Sequence, residues 1–177
     1  MSKKVGVFLT LLCLMLVATT SGFLLMRFGH WVFIQLLLIM IIATAGEHYV
    51  SGKGYYHYTE KNGLFFGRVP LWIPLMWVAV IQGSFSLLLI LGFGSTEAIA
   101  LSGVICASLD FYLIEPLLSR KIGMWLWNSV ERGYFGFVPS RVNRFTAPLG
   151  NYITWMIFPV ILNGLLHYSY LIQALIS

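Results

Sequence analysis

Residues Val5–Met26 form a run of 22 residues without a single charge, and four more apolar blocks follow it. They lie at Trp31–Gly46 (continuing to Val50), Val69–Phe93, Ala98–Leu118 and Leu149–Leu171. A helix with no polar face needs a large protein core or a lipid bilayer around it. This chain has 177 residues and only 10% are charged, whereas a soluble domain carries about 25%. With so few charges it cannot cover a water-facing surface. The apolar residues also come in continuous runs rather than in alternation, which argues against a membrane β-barrel. The sequence therefore predicts an all-α, polytopic transmembrane helical bundle. It has about five spans, near 5–26, 31–50, 69–93, 98–118 and 149–171, in a single integral membrane domain over residues 1–177.

The first block follows Lys3 and Lys4 and has the length of a signal peptide, with Ala18-Thr-Thr-Ser-Gly as a weak cleavage site. We read it as a retained span. Only Arg27-Phe-Gly-His30 separates it from the second block, so the two form an antiparallel hairpin. The third block places Pro70 and Pro74 in its first turns, where a helix tolerates proline best. The fourth contains Asp110 and Glu115-Pro116. Two polar connections remain: residues 47–68, with four tyrosines and two histidines, and residues 119–148, with four arginines. Trp125 and Trp127 in the latter read as anchors at headgroup level. Cys13 and Cys106 fall inside apolar blocks and read as small core residues.

The formal charge is +5. Because the basic residues sit between apolar blocks, they read as topology signals and lipid contacts, with no nucleic-acid partner implied. Five spans with a cytoplasmic N-terminus put Lys3, Lys4, Lys53, Lys61, Arg68, Arg120, Lys121, Arg132, Arg141 and Arg144 inside, and Arg27 alone outside. That asymmetry predicts an integral cell-membrane protein with its N-terminus in the cytoplasm and its C-terminus outside.

Polar residues within apolar blocks are where chemistry is to be sought. An ionised carboxylate in hydrocarbon is costly, and such residues mostly face a protein interior or cavity. Asp110 is thus either a helix-packing carboxyl or a neutral, proton-donating acid. Glu115 comes five residues later, which on an ideal α-helix turns it about 140° away. Pro116 makes that angle uncertain, and a hydrated interfacial glutamate is the plainer reading. Glu47-His48 closes the second span at the same level, either as a solvated helix end or as part of a site. His48 and His57 lack metal-ligand spacing, so no metal is expected. Tyr55, Tyr56, Tyr58, Asn151, Tyr152 and Trp155 supply aromatics and an amide at this depth, as would an interfacial aromatic belt. Aromatic faces stabilise cations, and an amide can orient water.

These residues also carry a resemblance. Tyr56-His57-Tyr58-Thr59, Gly63, Val69-Pro70-Leu71-Trp72-Ile73-Pro74 and Trp77 are similar to the first motif of the carotenoid biosynthesis protein family. Asp110, Leu113-Ile114-Glu115-Pro116 and Trp125-x-Trp127 resemble the second motif, and Pro148-x-x-Asn151-Tyr152-x-x-Trp155 the third. That family includes the bisanhydrobacterioruberin and γ-carotene hydratases. The resemblance implies a cofactor-independent hydratase (a hydro-lyase) that adds water to the terminal C=C of a carotenoid or isoprenoid end group. It implies a catalytic set of Asp110, Glu115, Glu47 and Asn151, with Tyr56, Tyr58, Trp77, Trp127 and Trp155 against the substrate. The implied partners are an apolar polyene or isoprenoid and the membrane lipids. Two other readings stay open: an enzyme acting on another isoprenoid lipid, and a non-catalytic membrane subunit or transporter.

Overall fold

A computed structural model describes residues 3–128 and 147–176. Among them are five helices long and apolar enough to cross a membrane. They are α1 (Lys3–Phe28), α2 (Trp31–Gly52), α3 (Trp72–Ile90), α4 (Ser95–Leu109) with a π-helical continuation over Asp110–Ile122, and α5 (Leu149–Ile176). The all-α bundle expected from the apolar blocks is what forms. Arg132, Arg141 and Arg144 lie outside the described residues.

The most enclosed helix is α3, with 14 of its 19 residues buried. The others surround it and turn large side chains such as Phe8, Met15, Phe33, Leu37 and Ile161 outward. In water that surface would be untenable, whereas against lipid tails it costs nothing. The bundle therefore gains little from burial against lipid and relies on close packing and interhelical hydrogen bonds. Gly103 shows the packing: a Cβ added there would stand 2.1 Å from the Met156 carbonyl oxygen on α5. Only glycine lets those two backbones meet so closely.

A buried polar clasp ties the five helices together at mid-depth. Gln35 of α2 donates to Asn163 Oδ1 of α5 (2.8 Å), and Gln82 of α3 donates to Gln35 Oε1 (3.1 Å). Ser21 of α1 donates to Gln82 Oε1 (2.7 Å), and Asn163 donates to Ser102 Oγ of α4 (3.0 Å). Each amide uses both its donor and its acceptor, as a buried amide must where no water competes.

The span boundaries need correction. The third span does not begin at Val69. Val69–Pro70 is a short strand (β3) paired antiparallel to Phe65–Phe66 (β2), and the helix starts at Trp72 and stops at Ile90. Pro70, lacking an N–H, suits a strand edge as readily as a first helical turn. The fourth span starts earlier, at Ser95, because Glu97 reaches back to accept the Gly94 N–H (3.0 Å) and caps the helix. It also runs on to Ile122, beyond Leu118.

The polar connections carry structure that the helical reading omits. Tyr56–Tyr58 (β1) and Trp125–Trp127 (β4) form an antiparallel ribbon with Tyr56 opposite Trp127, His57 opposite Leu126 and Tyr58 opposite Trp125. Strand alternation puts the four large aromatics on one face, and exposed His57 and Leu126 on the other. Behind the ribbon, fully buried Asn62 locks the connection. Its amide donates to the Thr59 and Met124 carbonyls (2.8 and 2.5 Å), and its Oδ1 accepts the Trp72 indole N–H (3.1 Å).

Candidate active site

Three carboxyls meet at the end of the bundle capped by the β1–β4 ribbon. Glu47 comes from α2, Asp110 from the start of the π-helix and Glu115 from its middle, and they lie within electrostatic range of one another. The π-helix is what brings the latter two together. Its hydrogen bonds run from i to i+5 and its turn is wider than that of an α-helix, so residues five apart fall on the same face. The 140° separation expected of an ideal α-helix therefore does not hold. Pro116 sits inside this segment and, having no N–H, removes one rung of regular helical bonding.

Each carboxyl is held differently. Glu47 accepts the hydroxyl of Tyr58 (2.7 Å) and that of Tyr56 on Oε2, and the Trp77 indole N–H on Oε1 (3.2 Å). Glu115 accepts the Trp125 indole N–H on Oε1 (3.2 Å) and that of Trp127 on Oε2 (3.1 Å). Both are thus gripped at both oxygens by groups that only donate here, an arrangement that suits a carboxylate. Asp110 is 2% exposed and, among the described residues, accepts one bond, from Asn151 Nδ2 to Oδ2 at 2.6 Å. Among the described residues no donor reaches its Oδ1.

The tyrosines are fixed as donors. Burial first, and then the neighbouring Glu47 charge, push both the Tyr56 and the Tyr58 phenol well above the ordinary tyrosine value. Trp125 and Trp127 are accordingly not simple headgroup anchors. Trp125 is buried, and both indoles are committed to Glu115.

The nine site residues that the family resemblance implies all line one small cavity: Glu47, Tyr56, Tyr58, Trp77, Asp110, Glu115, Trp127, Asn151 and Trp155. Ile73, Met76, Ile114 and Trp125 complete its wall. Its free volume is about 30 Å³. A single water needs roughly 10–15 Å³ on this measure, so the cavity has room for a water or two among polar groups. Trp77 and Trp155 pack beside it at a tilt of 31° with ring centroids 4.6 Å apart, and Tyr56 meets Trp127 edge-on at 4.7 Å. A second, larger and mostly apolar groove of about 360 Å³ adjoins the cavity and shares Glu47, Tyr56, Trp77, Trp127 and Asn151 with it.

Among the described residues no three His, Cys, Asp or Glu side chains group as a metal site would need. His57 stands on the outward face of β1, away from the carboxyls. The ribbon partners and the groove were not foreseen from the sequence. The period-two alternation of Tyr-His-Tyr and of Trp-Leu-Trp is the signal that points to the ribbon.

Comparison with known proteins adds one finding. A family model described as "Carotenoid biosynthesis protein" matches residues 5–175, nearly the whole chain. No curated protein and no solved structure matches it.

Proposed function

We propose that this chain, which belongs to the carotenoid biosynthesis protein family, adds water across a terminal carbon–carbon double bond of a carotenoid or closely related isoprenoid. The observation that carries this reading is the asymmetry among the three carboxyls. Among the described residues, Glu47 and Glu115 accept donors at both oxygens, while Asp110 is met by a donor at Oδ2 alone, beside a water-sized cavity walled by aromatics.

Three carboxyls around so small a space cannot all be charged without severe repulsion, so at least one holds a proton. Among the described contacts, Asp110 is the one whose hydrogen bonding leaves an oxygen for it. The reaction then runs on this chain's own groups. Asp110 Oδ1–H protonates the less substituted alkene carbon, and the π pair forms the new C–H bond. The neighbouring carbon becomes a tertiary cation. Indole and phenol faces lower its energy, as do the two carboxylates across the cavity. Asn151, oriented by its bond to Asp110, positions a water that attacks the cation. Glu47 or Glu115 takes the proton released from the resulting oxonium, and proton exchange within the carboxyl group restores Asp110. The sum is alkene plus water to tertiary alcohol, with no redox change.

The test is expression in a host that accumulates acyclic carotenes, with pigments resolved by chromatography and mass spectrometry. Tertiary hydroxyls at the chain ends support the proposal. Unchanged pigments alongside well-folded protein in the membrane contradict it.

A further inference from the structure

The acid cavity is too small to enclose a polyene's end group, so the chain must reach it from a neighbouring space that holds the rest of that end. Helices α2 and α5 provide one. They are clasped at one end, where the Trp31 indole donates to Gln173 Oε1 (2.6 Å). They are clasped again at mid-depth, where Gln35 donates to Asn163 Oδ1 and the Leu162 carbonyl. Beyond mid-depth, toward Glu47 and Asn151, no described hydrogen bond joins them, and the apolar groove lies between them there. Ile42, Gly46 and Val50 form the α2 wall, and Gly150, Thr154 and Phe158 the α5 wall. At its deep side the groove reaches the acid cavity through five shared residues.

We infer that this cleft is the seat of the substrate's terminal isoprene segment, that the chain enters it sideways from the bilayer, and that Gly46 and Gly150 determine which end groups fit. The inference rests on the hydration reading above for the identity of the occupant. Size supports it: pockets that enclose whole small ligands span about 300–1,000 Å³, so about 360 Å³ takes the end of a polyene and leaves the rest in hydrocarbon. Both glycines line the cleft, and an added Cβ at either meets nothing within 4 Å. Neither is needed for a positive backbone φ. Their missing side chains are therefore free space for a ligand.

The test measures pigment retained by the purified full chain from cells making an acyclic carotene with unhydrated ends, together with hydrated product in those cells. Gly46→Phe from one wall and Gly150→Leu from the other should each lower bound pigment per protein by about tenfold or more, because overfilled sites lose occupants at that scale. Product should fall in parallel. Gly22→Phe, on an exposed stretch of α1 with equal local room, should leave both unchanged. Asp110→Asn should keep the pigment and lose the product. A wild-type protein that retains no pigment overturns the cleft assignment, as does a folded Gly46→Phe or Gly150→Leu protein that retains as much as wild type. If pigment is bound and lost as expected but the wild type makes no alcohol, the cleft stands and the hydration reading falls.

Discussion

Asn151 at the start of α5 donates a 2.6 Å hydrogen bond from Nδ2 to Oδ2 of Asp110, fixing which oxygen of the acid serves as its acceptor. An amide nitrogen can only donate, so Oδ2 must accept and the proton, when present, belongs on Oδ1. Asp110→Asn keeps the shape and can keep this contact through its own carbonyl, but it has no proton to deliver. The variant should insert and melt like wild type while hydrated product falls by about 10²–10⁴-fold, the usual worth of a positioned acid. Full product from a well-folded Asp110→Asn protein would move the acid to another carboxyl.

Glu115 is held differently, and its replacement should behave differently. In Glu115→Gln one indole N–H still meets an oxygen, but the other meets an amide NH₂. Two donors then face each other in a buried site, at a cost of about 1–3 kcal/mol. Trp127→Phe removes one of those donors. A double-mutant cycle on thermal stability in detergent should show the two changes to be less than additive. Strict additivity would mean that the indole contacts are energetically idle.

The Tyr56 and Tyr58 phenols carry a pH signature. Their folded values are raised above the unfolded one, so the stability they confer is fully present below about pH 10. It is lost as pH rises from there toward the folded values, because only the unfolded chain ionises in that range. Wild type should therefore lose stability above about pH 10 more steeply than Tyr58→Phe does. Parallel alkaline unfolding curves would count against a buried, Glu47-bonded Tyr58.

Gly103 tests the bundle rather than the chemistry. Its position 2.1 Å from the Met156 carbonyl, measured to an added Cβ, leaves no room for any side chain. Gly103→Leu should abolish folded protein, and Gly22→Leu, with open space around it, should not. Normal yield of Gly103→Leu would disprove the close α4–α5 crossing.

The ten-to-one distribution of basic residues leads us to propose a cytoplasmic N-terminus. A reporter fused after Ser177 should then be active only on the outer face. Cytoplasmic activity would reverse the orientation.

The five spans were legible in the sequence because apolar block length is a local property, and the bilayer imposes it on each helix separately. Two other features were not local. The π-helical turn that brings Glu115 and Asp110 to one cavity depends on the packing of neighbouring elements and not on residue spacing alone. The Tyr56–Trp127 ribbon joins segments about 70 positions apart, and no single-segment pattern specifies that pairing. Gln35, Gln82 and Asn163 are lone amides within apolar runs, and the sequence reading passed over them. That they bond one another follows only once the helices are placed, since a buried amide is served as well by a backbone carbonyl, as Gln35 also is by that of Leu162. The acids of the candidate site, by contrast, stood out because an acid in an apolar block requires a reason.

The central claim is that water, delivered beside Asp110, supplies the oxygen of the product. The most direct measurement incubates the purified chain in lipid vesicles with an acyclic carotene, in water labelled with heavy oxygen and deuterium. Hydration beside Asp110 predicts, for each hydrated end, one tertiary hydroxyl carrying solvent oxygen and one solvent deuteron on the adjacent carbon. Absence of the alcohol, or a hydroxyl whose oxygen comes from dissolved dioxygen, would contradict it.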